Sequence, residues 1–167
     1  DKNQHLTSFT VDAENEYFKA DGGLLFNNDK TKLICYPSGK TGDTYTVPAA
    51  VTAIQVGAFA FNTTLTAISV AGGSPFTAGA DGVLYNGTSL ICYPAGKTET
   101  SYTIAATVTA IKPYAFQSCS NLDYVYVLRS TPDLTEGSIA MFDDVKSSFK
   151  ILVPSSVLSA YKAAAYW

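Results

Sequence analysis

The sequence is short of charge, and the charge it has is not clustered. Only 15% of its 167 residues are charged, the net charge is −3, and no basic cluster exceeds two residues. Soluble proteins usually carry about 25% charged residues. Nucleic acids and anionic membranes are recognised by basic patches, so the composition argues against both as partners.

Histidine and long apolar runs are also scarce. His5 is the single histidine, and no Ser-x-Gly elbow or Cys/His pair elsewhere could complete a nucleophilic site with it. We therefore interpret His5 as an exposed residue near the N-terminus. No apolar run approaches the ~18 residues of a membrane-spanning helix. The chain begins at Asp1 without a signal-like segment, which we interpret as a mature or trimmed chain.

A tripeptide typical of phosphate-binding loops occurs twice. LICYPSGKT (33–41) and LICYPAGKT (90–98) both end in Gly-Lys-Thr. A P-loop has a further glycine five residues before this tripeptide's glycine and leads into a helix. Those earlier positions are Ile34 and Ile91, and Thr/Tyr-rich alternation typical of a strand follows each motif. The motif therefore predicts a turn between two strands rather than a nucleotide site.

The recurrence indicates an internal repeat. Residues 33–70 align with 90–127 without a gap, and 19 of the 38 positions are identical. The match continues upstream with small gaps: 18–27 corresponds to 76–86, and 6–18 corresponds to 65–76. Fixed-period similarity of this kind is typical of solenoids. We predict that each unit of 57 residues contains more than one solenoid turn, and that stacked units share one continuous apolar interior holding Ile54 and Ile111.

Each unit reads as a hairpin followed by short strands. In the second copy the hairpin covers 82–94, and a short strand, the V-T-A-I segment, an Ala-Phe turn and a last strand at 122–127 follow it. The side chains of a strand alternate between its two faces. In this last strand, valines are therefore predicted to point inward and tyrosines outward.

These motifs together resemble the BspA-type leucine-rich repeat. The pattern is L-x-x-I-x-V combined with V-x-x-I-x-x-x-A-F-x-x-x-x-x-L, and it is carried by these residues: Val51, Ile54, Ala58, Phe59, Leu65, Ile68 and Val70, then Val108, Ile111, Ala115, Phe116, Leu122, Val125 and Val127. The interposed hairpin is similar to a variant found in surface proteins of gut and oral bacteria. The family often has a cysteine at one position of this pattern. Cys119 keeps it in the second copy, whereas Asn62 replaces it in the first.

The resemblance implies a mostly β repeat solenoid with inserted β-hairpins, short turns in place of full helices, and a C-terminal helical cap. We expect one continuous domain, with the leucine-rich-repeat solenoid at 1–128 and a degenerate last repeat and capping helix at 129–167. Ser155 or Ser156 is expected to cap that helix. Trp167 either packs back on the cap or marks a point from which the natural protein continues.

The resemblance also implies function. Such proteins are exported or attached to the cell surface, and their repeats bind proteins of a host or of another cell without catalysis or a cofactor. We therefore expect an extracellular or cell-surface binding or adhesion module whose partner is a protein, such as host extracellular matrix. The alternative is a carbohydrate-binding or accessory domain of a larger secreted protein, for which the partner is a glycan. An enzyme is the third class, and the sequence offers no convergent polar constellation for it.

The cysteines and carboxylates offer little chemistry. Cys35, Cys92 and Cys119 form an odd set without a Cys-x-x-Cys pair, so they argue against a zinc or redox site. We predict free thiols, since equivalent positions 57 residues apart lie beyond the ~7 Å that a disulfide allows between Cα atoms. Asp12, Glu14 and Glu16 alternate as in a calcium loop but lack its glycine, and we interpret them as a solvated loop.

Tyr124, Tyr126 and Arg129 are the candidate partner-binding residues. The repeat counterparts of the two tyrosines are the small residues Ala67 and Ser69. Tyrosine and arginine are enriched in binding hot spots because they combine a large contact area with a polar group. Two interpretations remain open: a partner binds these side chains, or the C-terminal segment of the chain folds over them.

Overall fold

Short strands make up most of the regular secondary structure in the described part of the chain. The structure is a computed structural model, and it describes residues 5–131 and 140–164. The strands are β1 (Phe18–Asp21), β2 (Leu24–Asn27), β3 (Lys32–Cys35), β4 (Thr44–Val47), β5 (Ala53–Ile54), β6 (Ala67–Val70), β7 (Thr77–Ala78), β8 (Leu84–Asn86), β9 (Ser89–Cys92), β10 (Ser101–Ile104), β11 (Ala110–Ile111), β12 (Tyr124–Val127) and β13 (Lys150–Leu152). A 3₁₀ turn, Ser155–Val157, and one short helix, α1 (Leu158–Ala163), follow β13.

Parallel pairing winds these strands into a solenoid. On one side β3 pairs with β5, with Leu33 opposite Ile54, and β9 pairs with β11 in the equivalent register. On another side β4 pairs with β6, with Tyr45 opposite Ile68, while β10, β12 and β13 form a three-stranded parallel sheet. One turn therefore takes roughly 20–25 residues, as in leucine-rich repeats. Each unit of 57 residues contains two turns, which confirms the predicted solenoid.

Each unit begins with an antiparallel meander that interrupts the parallel stack. We call β1–β2–β3 the first wall and β7–β8–β9 the second wall. The second wall lies against β6, where the Ile68 N–H donates to the carbonyl of Gly82 at 2.9 Å. The first unit repeats this contact, since the Phe9 N–H donates to the carbonyl of Gly23 at 2.8 Å. The same backbone bond thus sets the position of both walls.

The apolar interior consists of two clusters, so the prediction of one continuous core is wrong. Ile54 packs against the first-unit cluster, whereas Ile111 belongs to the second-unit cluster. The second wall stands between them, because strand alternation together with a register shift at Ile91 gives it two apolar faces. The residues of the second wall contribute to both clusters. Leu84 and Cys92 belong to the first-unit cluster, and Val83, Leu90 and Tyr93 belong to the second-unit cluster.

The described part of the C-terminal region closes the second-unit cluster. Met141 is buried there, and its carbonyl accepts the Phe116 N–H at 2.9 Å. The predicted serine cap is wrong: Ser155 starts a 3₁₀ turn, and α1 begins after Val157 without a side-chain cap. Trp167 lies outside the described residues.

Candidate partner-binding face

The candidate site is built on β12, whose sequence Tyr-Val-Tyr-Val alternates strictly. Val125 and Val127 are fully buried in the second-unit cluster. Tyr124 and Tyr126 consequently point to the opposite side of the strand, where Tyr126 is 41% exposed and Tyr124 is half-buried. The structure therefore brings both predicted tyrosines together on one outward face.

Neighbouring strands extend this face. In the parallel ladder Tyr124 lies between Ser101 of β10 and Lys150 of β13, and Tyr126 lies between Thr103 and Leu152. Paired residues of adjacent strands point to the same side of a sheet. We call the resulting surface the tyrosine face, and it comprises Ser101, Thr103, Tyr124, Tyr126, Lys150 and Leu152.

The two tyrosine rings contact each other edge to face. Their centroids are 5.2 Å apart and their planes are inclined at 72°. Aromatic pairs in this arrangement hold each other in place, which lowers the entropy lost when a partner binds. In the described residues the C-terminal segment adds β13 beside β12, and it leaves Tyr126 exposed.

Arg129 is placed differently from the two tyrosines. Its Nη1 donates to the carbonyl of Val108 at 3.1 Å, and its Nη2 donates to the Thr131 hydroxyl at 3.2 Å. The bond to Val108 ties the end of β12 to the preceding turn of the solenoid. The geometry therefore gives Arg129 intramolecular hydrogen bonds, while the tyrosine rings supply the exposed aromatic surface.

Sequence reasoning missed Lys150 and Leu152 as members of the face. The sequence predicts a degenerate repeat around them, because the segment lacks the full motif and follows an irregular stretch. The available signal was the alternation in Lys150-Ile151-Leu152, where Ile151 packs against the second-unit cluster and its two neighbours point away. One matching alternation is too short to fix register on its own.

The equivalent face of the first unit carries no aromatic residue. There Thr44 lies opposite Ala67, and Thr46 lies opposite Ser69, with the two hydroxyl oxygens 2.7 Å apart. These hydroxyls bond to each other across the strands. The aromatic surface is therefore a feature of the last turns of the solenoid and not of the repeat in general.

The lysines of the two Gly-Lys-Thr turns form hydrogen bonds within the fold. The Nζ atom of Lys40 donates to the carbonyl of Gly22 at 2.7 Å, and the Nζ of Lys97 donates to the carbonyl of Asp81 at the same distance. Lys97 is also buried, with its ammonium 3.2 Å from a carboxylate oxygen of Glu99. Both lysines fasten a turn to the wall of their own unit, which explains the motif without a phosphate.

Titratable groups do not converge on a catalytic arrangement in the described residues. One groove, of about 290 Å³, is lined in part by Asp21, Lys40 and Tyr45. Asp21 is paired with Lys30 at 2.8 Å, and burial raises the pKa of Tyr45 well above its usual value, which keeps its hydroxyl protonated. Within the same residues no group of three or more potential ligands could hold a metal ion.

All three cysteines are free thiols in the structure. Burial raises the pKa of Cys92 to about 12 and raises that of Cys35 as well. Thiols react as thiolates, so a raised pKa makes both less reactive than an exposed cysteine at neutral pH. Their geometry fits the predicted role of small apolar side chains in the walls.

Three solved structures are similar to this chain. They are the pneumococcal vaccine antigen PcpA (23% identity, TM-score 0.60, 77% of this chain and 30% of that chain), a leucine-rich repeat protein from Eubacterium ventriosum (27%, 0.59, 75% and 37%) and a leucine-rich cell surface protein from Faecalibacterium prausnitzii (22%, 0.56, 76% and 34%). The chain thus matches about a third of the length of each. No protein-family model and no curated protein matches the sequence.

These matches confirm the leucine-rich repeat fold. The Eubacterium ventriosum protein is described as a leucine-rich repeat protein, and the Faecalibacterium prausnitzii protein as a leucine-rich cell surface protein. None of the three is described as an enzyme. Where the structure describes the chain, no helix combines the length and the apolar character needed to cross a membrane.

Proposed function

From the premise that this chain belongs to the leucine-rich repeat proteins of the BspA type, we propose that it is a non-enzymatic binding module of a secreted or cell-surface protein. Its partner is another protein, such as a component of the extracellular matrix or of another cell. The observation that carries the proposal is the tyrosine pair on the outward face of β12, in which Tyr126 is exposed and Tyr124 is half-buried. Adhesion is the biological role that such binding would serve.

The chemistry of the tyrosine face favours a protein partner. Two aromatic rings, Leu152 and two small hydroxyl residues provide contact area together with hydrogen-bonding groups, and Lys150 adds the single charge. Aromatic side chains with polar groups are typical of the energetically important centre of protein interfaces. The rings are inclined to each other rather than coplanar, and this arrangement offers no flat double platform for a sugar.

The test is the double variant Tyr124→Ser and Tyr126→Ser. We expect binding to a panel of immobilised extracellular-matrix proteins to fall at least tenfold, while the melting temperature changes by no more than a few degrees. Tyr17→Ser is the matched control, since it removes a tyrosine that is 74% exposed outside the face. A glycan array is run in parallel.

Three outcomes would contradict this proposal. Binding of the double variant at the level of Tyr17→Ser would show that the tyrosine face is not the site. Saturable binding on the glycan array with none to the proteins would favour the carbohydrate-binding alternative. A large loss of stability in the double variant would instead assign the two rings to the core.

A further inference from the structure

The two walls have equivalent sequences, but they differ in whether one apolar face is buried against a neighbouring turn. In the second wall this face packs on the first-unit cluster, and it consists of Phe76, Leu84, Ile91 and Cys92. The counterparts in the first wall lie outside both apolar clusters of the described chain, and they are Phe18, Leu25, Ile34 and Cys35. Phe76 is 4% exposed and Phe18 is 42% exposed.

The preceding turns of the solenoid cause this difference. The second wall is covered by side chains of the first unit, among them Val47, Val51 and Phe59. Ser74, which leads into the wall, adds a hydrogen bond from its hydroxyl to the carbonyl of Val51 at 3.2 Å. The apolar face of a wall with this sequence is therefore buried by packing against a turn of the repeat.

The first wall is arranged to receive the same neighbour. Segment 6–11 lies on it through the bond from the Phe9 N–H to Gly23, just as β6 lies on the second wall through Ile68 and Gly82. The Gly39 N–H donates to the carbonyl of Leu6 at 2.8 Å, and Gly96 makes the equivalent bond to Leu65 at 2.9 Å. The backbone frame of the docking surface is thus present in both units.

We propose that the open wall face, defined by Phe18, Leu25, Ile34 and Cys35, is a docking surface for a further turn of the same type of leucine-rich repeat. The docked turn would present a buried valine from a short strand, a second valine and the phenylalanine of an Ala-Phe turn. A second copy of this chain does not fit, because its own Val47, Val51 and Phe59 are already buried beneath its second wall. The surface is separate from the tyrosine face, so this proposal does not depend on the proposed function.

The repeat itself supplies the test. A second copy of residues 12–70 is inserted between Val11 and Asp12, and Cys35 of the inserted copy is replaced by alanine. The inserted copy ends in LTAISV, which corresponds to the natural LTSFTV before Asp12, so the junction is preserved. The original Cys35 then lies beneath a repeat turn, as Cys92 does. We expect its rate of labelling by a maleimide in the folded protein to fall at least tenfold relative to the parent chain.

Leu25→Asp is the matched control. In the duplicated protein a charge at this position of the original unit should restore labelling of Cys35 to the parental rate, because the docked turn is displaced. In the parent chain the same variant should keep its circular dichroism spectrum and its melting temperature, since the face is open. If Leu25→Asp unfolds the parent chain, the face belongs to the core and the proposal is wrong, whether or not the duplicated protein folds.

Two further results would overturn the proposal. One is a folded duplicated protein in which Cys35 is labelled at the parental rate. The other is concentration-dependent dimerisation of the parent chain in sedimentation experiments that Leu25→Asp abolishes, which would assign the face to a second copy.

Discussion

At the scale of residues, one hydroxyl group changes the hydrogen bonding of a tyrosine that occupies the same position in both units. In the second unit the hydroxyls of Tyr85 and Tyr102 are hydrogen-bonded to each other. In the first unit Phe26 replaces Tyr85, and the buried hydroxyl of Tyr45 finds no hydrogen-bond partner among the described residues. A buried polar group without a partner destabilises the fold, so the first unit is less stable at this position.

Exchanging this hydroxyl should change stability in opposite directions. We expect Tyr85→Phe to lower the free energy of unfolding by about 1–2 kcal/mol, because it removes the hydroxyl that bonds to Tyr102, and Phe26→Tyr to raise it by about 0.5–1 kcal/mol. Urea denaturation of the two variants beside the wild type measures both. Changes of the same sign would contradict the assignment of the pair.

Cys92 makes stability depend on pH in the alkaline range. Its pKa in the folded protein is raised by burial to about 12, whereas an unfolded cysteine titrates near ~8.5. The stabilisation is therefore fully present below pH ~8.5, and it is lost at about 1.4 kcal/mol per pH unit as the pH rises toward the folded pKa. Unfolding measured at pH 8, 9 and 10 should give a shallower decline for Cys92→Ala, and parallel declines would refute the prediction.

At the scale of elements, close approach between the second wall and β6 determines how the units join. A Cβ atom on Gly82 would lie 2.6 Å from the Cβ of Ala67, and Gly82 has a φ of +77°. Only glycine accommodates both the left-handed backbone and the contact without strain. The glycine at this position is therefore required by packing as well as by the turn.

Two glycines of the second wall allow the cost of backbone conformation to be measured separately from the cost of the close contact. Gly87 has a φ of +57°, but a Cβ there would meet nothing within 4 Å. Gly87→Ala should cost about 1 kcal/mol for backbone conformation alone. Gly82→Ala should cost about 2–4 kcal/mol because overpacking is added. Thermal denaturation of the pair checks this, and equal melting temperatures would show that the wall can shift away from β6 freely.

At the scale of the whole molecule, the repeat offset predicted the solenoid and more than one turn per unit, and strand alternation predicted the inward valines of β12. It did not predict that the interior divides in two. The alternation in Val83-Leu84 was visible, but periodicity alone does not reveal that a strand has apolar neighbours on both sides. The tyrosine pair was predictable from alternation, whereas the hydrogen bond from Arg129 to Val108 depends on how one solenoid turn lies on the next.

The division of the core by the second wall is the central structural claim. Leu84 and Leu25 occupy the same repeat position and differ in what lies against them, since Leu84 is fully buried between the units and Leu25 is only half-buried. The most direct test is the free energy of unfolding of Leu84→Ala and Leu25→Ala. We expect a loss of about 2–5 kcal/mol for Leu84→Ala and less than about 1 kcal/mol for Leu25→Ala. Equal losses would contradict the claim that the units are joined through this wall.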